Sequence, residues 1–240
     1  MNARGLFNFI FTYAWTGSLA SVVLLEHAIK EDPERFRAME RTWAKVLAKA
    51  WGLQVATYGA EKVDPTRAYI FMGNHQSQVD IVAVMHALPQ TPGFLAKKEL
   101  RKIPFMGRAM EVGGHVFIDR GRRERAIAAV EDAAKVIRAG SSIVVFPEGT
   151  RMDREEVGPF KKGPFHLAMT AGVPIIPFGI RGTRSILPKH SSNVVPGSIE
   201  VHIGKPVDAS EIKNMSIETL MARVRSDIAT LSAMPLSDQA

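Results

Sequence analysis

His75 and Asp80 stand in the run Asn74-His75-Gln76-Ser77-Gln78-Val79-Asp80, directly after an apolar stretch at residues 68–72. An imidazole and a carboxylate this close in sequence make a candidate acid–base unit. A carboxylate bonded to one ring nitrogen fixes the tautomer and raises the basicity of the other, which can then take a proton from a substrate hydroxyl. Ser77 completes a Ser, His and Asp set within the same run. A serine hydrolase is therefore a rival reading, weakened because no Gly-x-Ser-x-Gly elbow occurs in the chain.

Two basic runs follow later apolar stretches. The first is Asp119-Arg120-Gly121-Arg122-Arg123; the second is Phe146-Pro147-Glu148-Gly149-Thr150-Arg151, with Phe160-Lys161-Lys162-Gly163 shortly after. Arg120, Arg151 and a nearby lysine form a candidate phosphate clamp, because a guanidinium offers a planar pair of donors. Arg122, Arg123 and Arg125 read instead as the exposed start of a helix. Gly158 and Gly163 have the spacing of a nucleotide-binding loop, but Pro164 stands where its lysine belongs. His27, His86, His115, His166, His190 and His202 show no paired metal spacing, so ordinary core or surface roles are expected for them.

The elements that must position these groups read as α/β. Strands are predicted at 68–72, 114–118, 142–146, 175–180 and 199–203, and helices at 80–88, 122–139 and 216–232. Gly140 ends the second of these helices as a C-terminal glycine should. Open α/β sheets place their chemistry at strand ends, where all three candidate runs fall. The tail from Pro235 to Ala240 is expected to fray.

The amino terminus carries no charge from Gly5 to Leu25. About 20 helical residues span about 30 Å, enough to cross a bilayer. Asn8, Thr12 and Thr16 give this helix a weakly polar stripe, which also suits a tilted or interfacial placement. A signal peptide is the rival reading, with Arg4 as its basic region and Ser18-Leu19-Ala20 as its cleavage site. A second helix opens at Asp32 and Pro33. Phe36, Met39, Trp43, Val46, Leu47 and Ala50 line one side, and Arg35, Arg37, Arg41, Lys45 and Lys49 the other. The basic side suits anionic headgroups, with the apolar stripe on acyl chains or the first helix; the alternative is an ordinary helix packed on the core.

The 240 residues carry a formal charge of +7 and no cysteine. The charge points to an anionic partner. Without cysteine, disulfides, thiolate metal sites and a cysteine nucleophile are excluded.

Taken together, these pieces resemble the glycerolipid acyltransferase family, most closely the 1-acylglycerol-3-phosphate (lysophosphatidate) acyltransferases. The likeness covers about residues 67–205. Its ordered blocks are the His75–Asp80 run, Gly114-His115-Val116-Phe117-Ile118-Asp119-Arg120, Phe146-Pro147-Glu148-Gly149-Thr150-Arg151, and Val173-Pro174-Ile175-Ile176-Pro177. Ala96-Lys97-Lys98-Glu99-Leu100 and Ile103-Pro104-Phe105-Met106-Gly107 match the segment between the first two.

The resemblance implies a mixed β-sheet flanked by helices, with amino-terminal membrane-associated helices at 1–58 and an acyltransferase domain at 59–240. It implies that His75 deprotonates the hydroxyl of a lysophosphatidate, which attacks the thioester of acyl-CoA or acyl carrier protein directly, while Asp80 steadies the imidazolium. Ser77 is then left as a helix N-cap. Phosphate contacts fall to Arg120 and Arg151, acceptor-pocket contacts to Glu148, Gly149 and Thr150, and weaker additions to Lys97 and Lys161. No cofactor or metal is implied. The expected partners are a phospholipid membrane, lysophosphatidate and the acyl donor, with no nucleic acid, at the cytoplasmic face of the cell membrane. The rivals are the same chemistry on another lysophospholipid, a lyso-aminolipid or glycerol 3-phosphate, and a non-catalytic module that binds anionic lipid or nucleic acid.

Overall fold

The computed structural model describes residues 3–119 and 123–237. Seven strands form one sheet: β1 (Leu53–Tyr58), β2 (Ile70–Gly73), β3 (Gly93–Lys97), β4 (Val116–Ile118), β5 (Ile143–Val145), β6 (Ile175–Arg181) and β7 (Gly197–Ile203), in the order β1-β7-β6-β2-β5-β3-β4. All neighbouring pairs are parallel except β6 with β7. The sheet is therefore mixed, as expected.

Central β2 pairs through Ile70 with both Ile143 and Ile175. Its side chains alternate between two cores. Phe71 lies with Val144, Ile176 and Phe178 under α2 (Pro33–Trp51) and α3 (Val79–Ala87). Ile70 and Met72 lie with Ile143, Val145 and Ile175 under α5 (Arg123–Arg138), α6 (Gly163–Ala171) and α9 (Ile217–Ser232). Coverage on both faces explains why these strands read as unbroken apolar runs.

The five predicted strands and three predicted helices are present within one to two residues. The sequence reading omitted β1, β3, α6 and the short helices α4 (Met106–Val112), α7 (Thr183–Ile186) and α8 (Ala209–Lys213). β1, grouped with the amino-terminal helices by a division after residue 58, pairs with β7 along its whole length.

α2 starts as expected, with the Asp32 carboxylate accepting the Arg35 N–H. Its apolar stripe faces protein. Ala44, Leu47, Ala48 and Trp51 join the core over α3, and Phe36 packs with Ala20, Val23 and Ala109. Of the surfaces expected for this stripe, the first helix and the core cover it, and the acyl-chain alternative is corrected because these side chains are packed within the protein.

α1 (Ala3–Ile29) is long and apolar enough to cross a membrane. Its polar stripe points inward. Thr16 Oγ1 accepts from Trp43 Nε1 at 3.0 Å, Thr12 Oγ1 accepts from Trp51 Nε1 at 3.2 Å, and Asn8 is buried. Leu6, Phe7, Phe9, Ile10, Tyr13 and Leu25 are left on an exposed apolar face.

The carboxyl-terminal tail is held through Ser237. Val157 N–H donates to Pro235 O at 2.9 Å, and Arg225 donates to the Ser237 carbonyl at 3.0 Å. Fraying from Pro235 is thus corrected for residues 235–237; residues 238–240 lie outside the described residues.

Candidate active site

Parallel pairing brings the carboxyl ends of β6, β2, β5, β3 and β4 to one edge of the sheet. The candidate residues follow those ends. At the end of β2, Gly73 packs so tightly on Phe178 that a Cβ there would lie 2.1 Å from the ring. Next, the Asn74 carboxamide accepts from Ile180 N–H at 2.7 Å and donates to Ile180 O at 2.9 Å. These contacts bind the chain to β6 one residue before His75.

His75 Nδ1 lies 2.8 Å from Asp80 Oδ2. The same oxygen accepts the backbone N–H groups of Gln76 and Ser77, each at 2.8 Å. An oxygen already accepting two amides is fixed as an acceptor, so Nδ1 donates to it and, in the neutral ring, Nε2 is the nitrogen with the lone pair. Nε2 has no hydrogen bond to the described residues. The Asp80 side chain is 1% exposed and that of His75 17%, so the carboxylate is sealed while the ring reaches the surface. The imidazole stacks on Phe146, with centroids 4.1 Å apart and planes 11° apart.

Ser77 is buried. Its hydroxyl donates to Leu187 O at 2.7 Å and accepts the Val79 N–H at 3.1 Å. It therefore supports the first turn of α3, although the cap position itself belongs to Gln78. With its proton on a backbone carbonyl, Ser77 is not arranged as a nucleophile.

The loop after β5 is bound to the His75 loop. Glu148 is 3% exposed and bridges two amides: Oε2 accepts from His75 N at 2.9 Å and Oε1 from Gly158 N at 3.0 Å. Met152 N–H donates to His75 O at 2.8 Å. Burial raises the Glu148 carboxyl from 4.5 to about 7, against the pull of the two amides and Arg225; the charge on Asp80 adds to the rise. Glu148 thus grips the backbone of His75, a role its place among the acceptor contacts did not anticipate.

Gly149 turns at φ +75°, where a side chain is strained, and its N–H reaches Phe146 O at 3.0 Å. Thr150 is exposed, and Arg151 is half-buried with no ion pair among the described residues. Lys161 is exposed; its N–H closes the loop on Pro147 O at 2.8 Å. Lys97 ends β3, two strands from β2 and so about 10 Å along the edge, and pairs with Glu99 at 3.6 Å. Lys98 Nζ reaches Asp119 Oδ2 at 2.7 Å, tying the ends of β3 and β4 together. Arg120 lies outside the described residues. Among the described residues no cluster of metal-ligating side chains occurs.

Sequence reasoning missed Phe146 as the ring's support and Arg225 as the loop's brace. From α9, Arg225 donates to Val157 O at 2.8 Å, Gly158 O at 3.0 Å and Ser237 Oγ at 2.9 Å. Arg225→Leu leaves these acceptors unmatched and is expected to cost about 2–3 kcal/mol, read as a lower denaturation midpoint. An unchanged midpoint would show that the brace carries no stability.

Residues 54–181 match the family model described as Acyltransferase. The chain is 30% identical to 1-acyl-sn-glycerol-3-phosphate acyltransferase alpha of Bos taurus over 231 residues, covering 96% of this chain and 80% of that one. It is 31% identical to the 1-acyl-sn-glycerol-3-phosphate acyltransferase of Saccharomyces cerevisiae, covering 78% and 63%. The crystal structure of the 1-acyl-sn-glycerophosphate acyltransferase PlsC from Thermotoga maritima superposes with a TM-score of 0.77 at 28% identity, covering 94% of each chain. With the ordered blocks, the strand-end site and these likenesses in agreement, the chain belongs to the acyltransferase family.

Proposed function

We propose that this chain transfers an acyl group from a thioester, acyl-CoA or acyl carrier protein, to the sn-2 hydroxyl of 1-acylglycerol 3-phosphate. The observation that carries the reading is the His75–Asp80 contact at 2.8 Å, with Nε2 unbonded to any of the described residues. Nε2 takes the hydroxyl proton as the oxygen attacks the thioester carbonyl, Asp80 stabilises the imidazolium, and the thiolate leaves with a proton returned by His75. No acyl-enzyme forms. Arg151 holds the phosphate, with Lys97 and Lys161 adding positive charge along the same edge and Gly149 and Thr150 shaping the pocket wall; Arg120, outside the described residues, is proposed as a further phosphate contact on the resemblance alone.

Membrane association follows from the exposed apolar face of α1. Its polar side is engaged by α2, which favours a helix lying in the interface over one spanning the bilayer. Cytosolic thioesters place the site on the cytoplasmic face, and a protease-protection assay tests that side directly.

Arg151→Ala is expected to raise KM for lysophosphatidate about 10- to 100-fold, the loss of one charge-assisted hydrogen-bonding group, with a smaller effect on kcat. An unchanged KM would remove Arg151 from the clamp. Running acyl-CoA and acyl carrier protein in parallel assigns the donor.

A further inference from the structure

Between β3 and α4 the chain adopts a strained turn that exposes apolar side chains. Phe105 has φ 61° and ψ −53°, a region bulky residues rarely enter. Met106 N–H donates to Pro104 O at 2.7 Å, closing a three-residue γ-turn of the rarer, strained hand. The neighbours hold it there. Gly107 N–H donates to Ile103 O and Ala109 N–H to Phe105 O, each at 2.9 Å. Gly107 also sits so close to Arg101 that a Cβ would lie 2.2 Å from its carbonyl oxygen. This strain gains little burial within the protein: Phe105 is 59% exposed and Ile103 38%, with Pro104 exposed between them. Strained backbone persists where the surroundings over-determine it, commonly at functional points.

The charges around the turn indicate its partner. Residues 97–111 carry the cations Lys97, Lys98, Arg101, Lys102 and Arg108 against the carboxylates Glu99 and Glu111. Lys97 pairs with Glu99, Lys98 with Asp119, and Arg101 and Arg108 share Glu111, so the segment keeps a positive balance. An apolar tip on a net positive segment fits an anionic phospholipid surface, hydrocarbon taking the ring and phosphates the cations. The turn is also tied to α1 through α4, whose Ala109 and Val112 pack with the buried Ala20 and Val23 of α1.

We propose that residues 103–105 form a second membrane contact, a wedge that enters an anionic bilayer beside the mouth of the site. The proposal rests on the membrane reading of α1 given above. Lys97 stands both at the base of this segment and on the site edge. The wedge therefore sets that edge at headgroup depth, where a lipid acceptor presents its hydroxyl and phosphate while its acyl chain stays in the bilayer.

The cysteine-free chain allows a single label to be placed cleanly. Full-length Phe105→Cys is given a nitroxide, beside Tyr13→Cys on α1 and Lys213→Cys on α8, which packs against the opposite core. Each is bound to mixed phosphatidylglycerol and phosphatidylcholine vesicles, and depth is read from spin-label accessibility to oxygen against a water-soluble nickel chelate. The expected result is lipid depth at 105 and 13 and water at 213, with Ile103→Ser/Phe105→Ser partitioning onto the vesicles at least about tenfold more weakly. A label in lipid at 13 but in water at 105 overturns the wedge and leaves α1 as the anchor. Water at both positions overturns the membrane reading and the wedge together.

Discussion

His75→Ala is expected to lower turnover about 100- to 10,000-fold, the range contributed by a positioned general base, while the protein remains folded. Its Nε2 makes no hydrogen bond to the described residues, and Nδ1 is already committed to Asp80 at 2.8 Å. The fold should tolerate the change. Asp80 Oδ2 keeps the Gln76 and Ser77 amides, and Glu148 keeps the His75 amide, which alanine also supplies. Circular dichroism and the denaturation midpoint should therefore stay close to the parent values while product formation collapses. Turnover within about threefold of the parent would be far less than removal of a general base requires, and proton transfer would have to be reassigned.

Glu148→Gln is expected to be the second most damaging change, and its signature is pH-dependent. The carboxyl titrates at about 7 in the fold against 4.5 ordinarily, chiefly because it is buried. A raised carboxyl pKa means the fold favours the protonated form. That contribution is fully present below pH 4.5 and lost as pH rises through about 7, amounting to at most about 3 kcal/mol. Glutamine does not titrate, so the variant's stability should be flat where the parent's falls. An amide also offers one oxygen to two backbone N–H groups, His75 and Gly158. One donor is left unmatched at a cost of about 1–3 kcal/mol. The His75 loop loses an anchor, and a displacement of about 1 Å at a reacting group can cost about 100-fold in rate. Denaturant unfolding at several pH values between 4.5 and 7.5, with kcat alongside, checks both parts. Parallel pH profiles for the two proteins would refute the titration of Glu148, and an unchanged kcat would refute its grip on His75.

The sequence was most legible where a strand is covered on both faces. β2, β5 and β6 announced themselves as short apolar runs because helices pack on either side. β1 was missed because an edge strand with alternate residues exposed lacks that density. β3 was missed because it begins at Gly93 beside Pro92, both of which read as turn signals. The opening of α6 is hard to see in the sequence because Gly163-Pro164 look like breakers, although proline suits a first helical turn. In α1 the polar stripe was visible, but its direction was not. Which side meets the protein depends on Trp43 and Trp51 arriving from another helix.

The His75–Asp80 pair was readable because both partners lie in one run. Glu148 was legible as a candidate but not as a clamp on the His75 amide, since backbone groups leave no mark on side-chain patterns. Arg225 carried no signal at all, being joined to residues 157 and 158 only by the fold.

The most direct test of acyl transfer by His75 is a product assay with purified full-length protein. Each thioester donor is incubated with lysophosphatidate or with its dephosphorylated monoacylglycerol, His75→Ala is run alongside, and the lipids are read by mass spectrometry. A His75 general base beside a phosphate clamp should give phosphatidate from the phosphorylated acceptor alone, falling at least about 100-fold when His75 is replaced. Equal acylation of monoacylglycerol, or phosphatidate formed at the parent rate by His75→Ala, would contradict it.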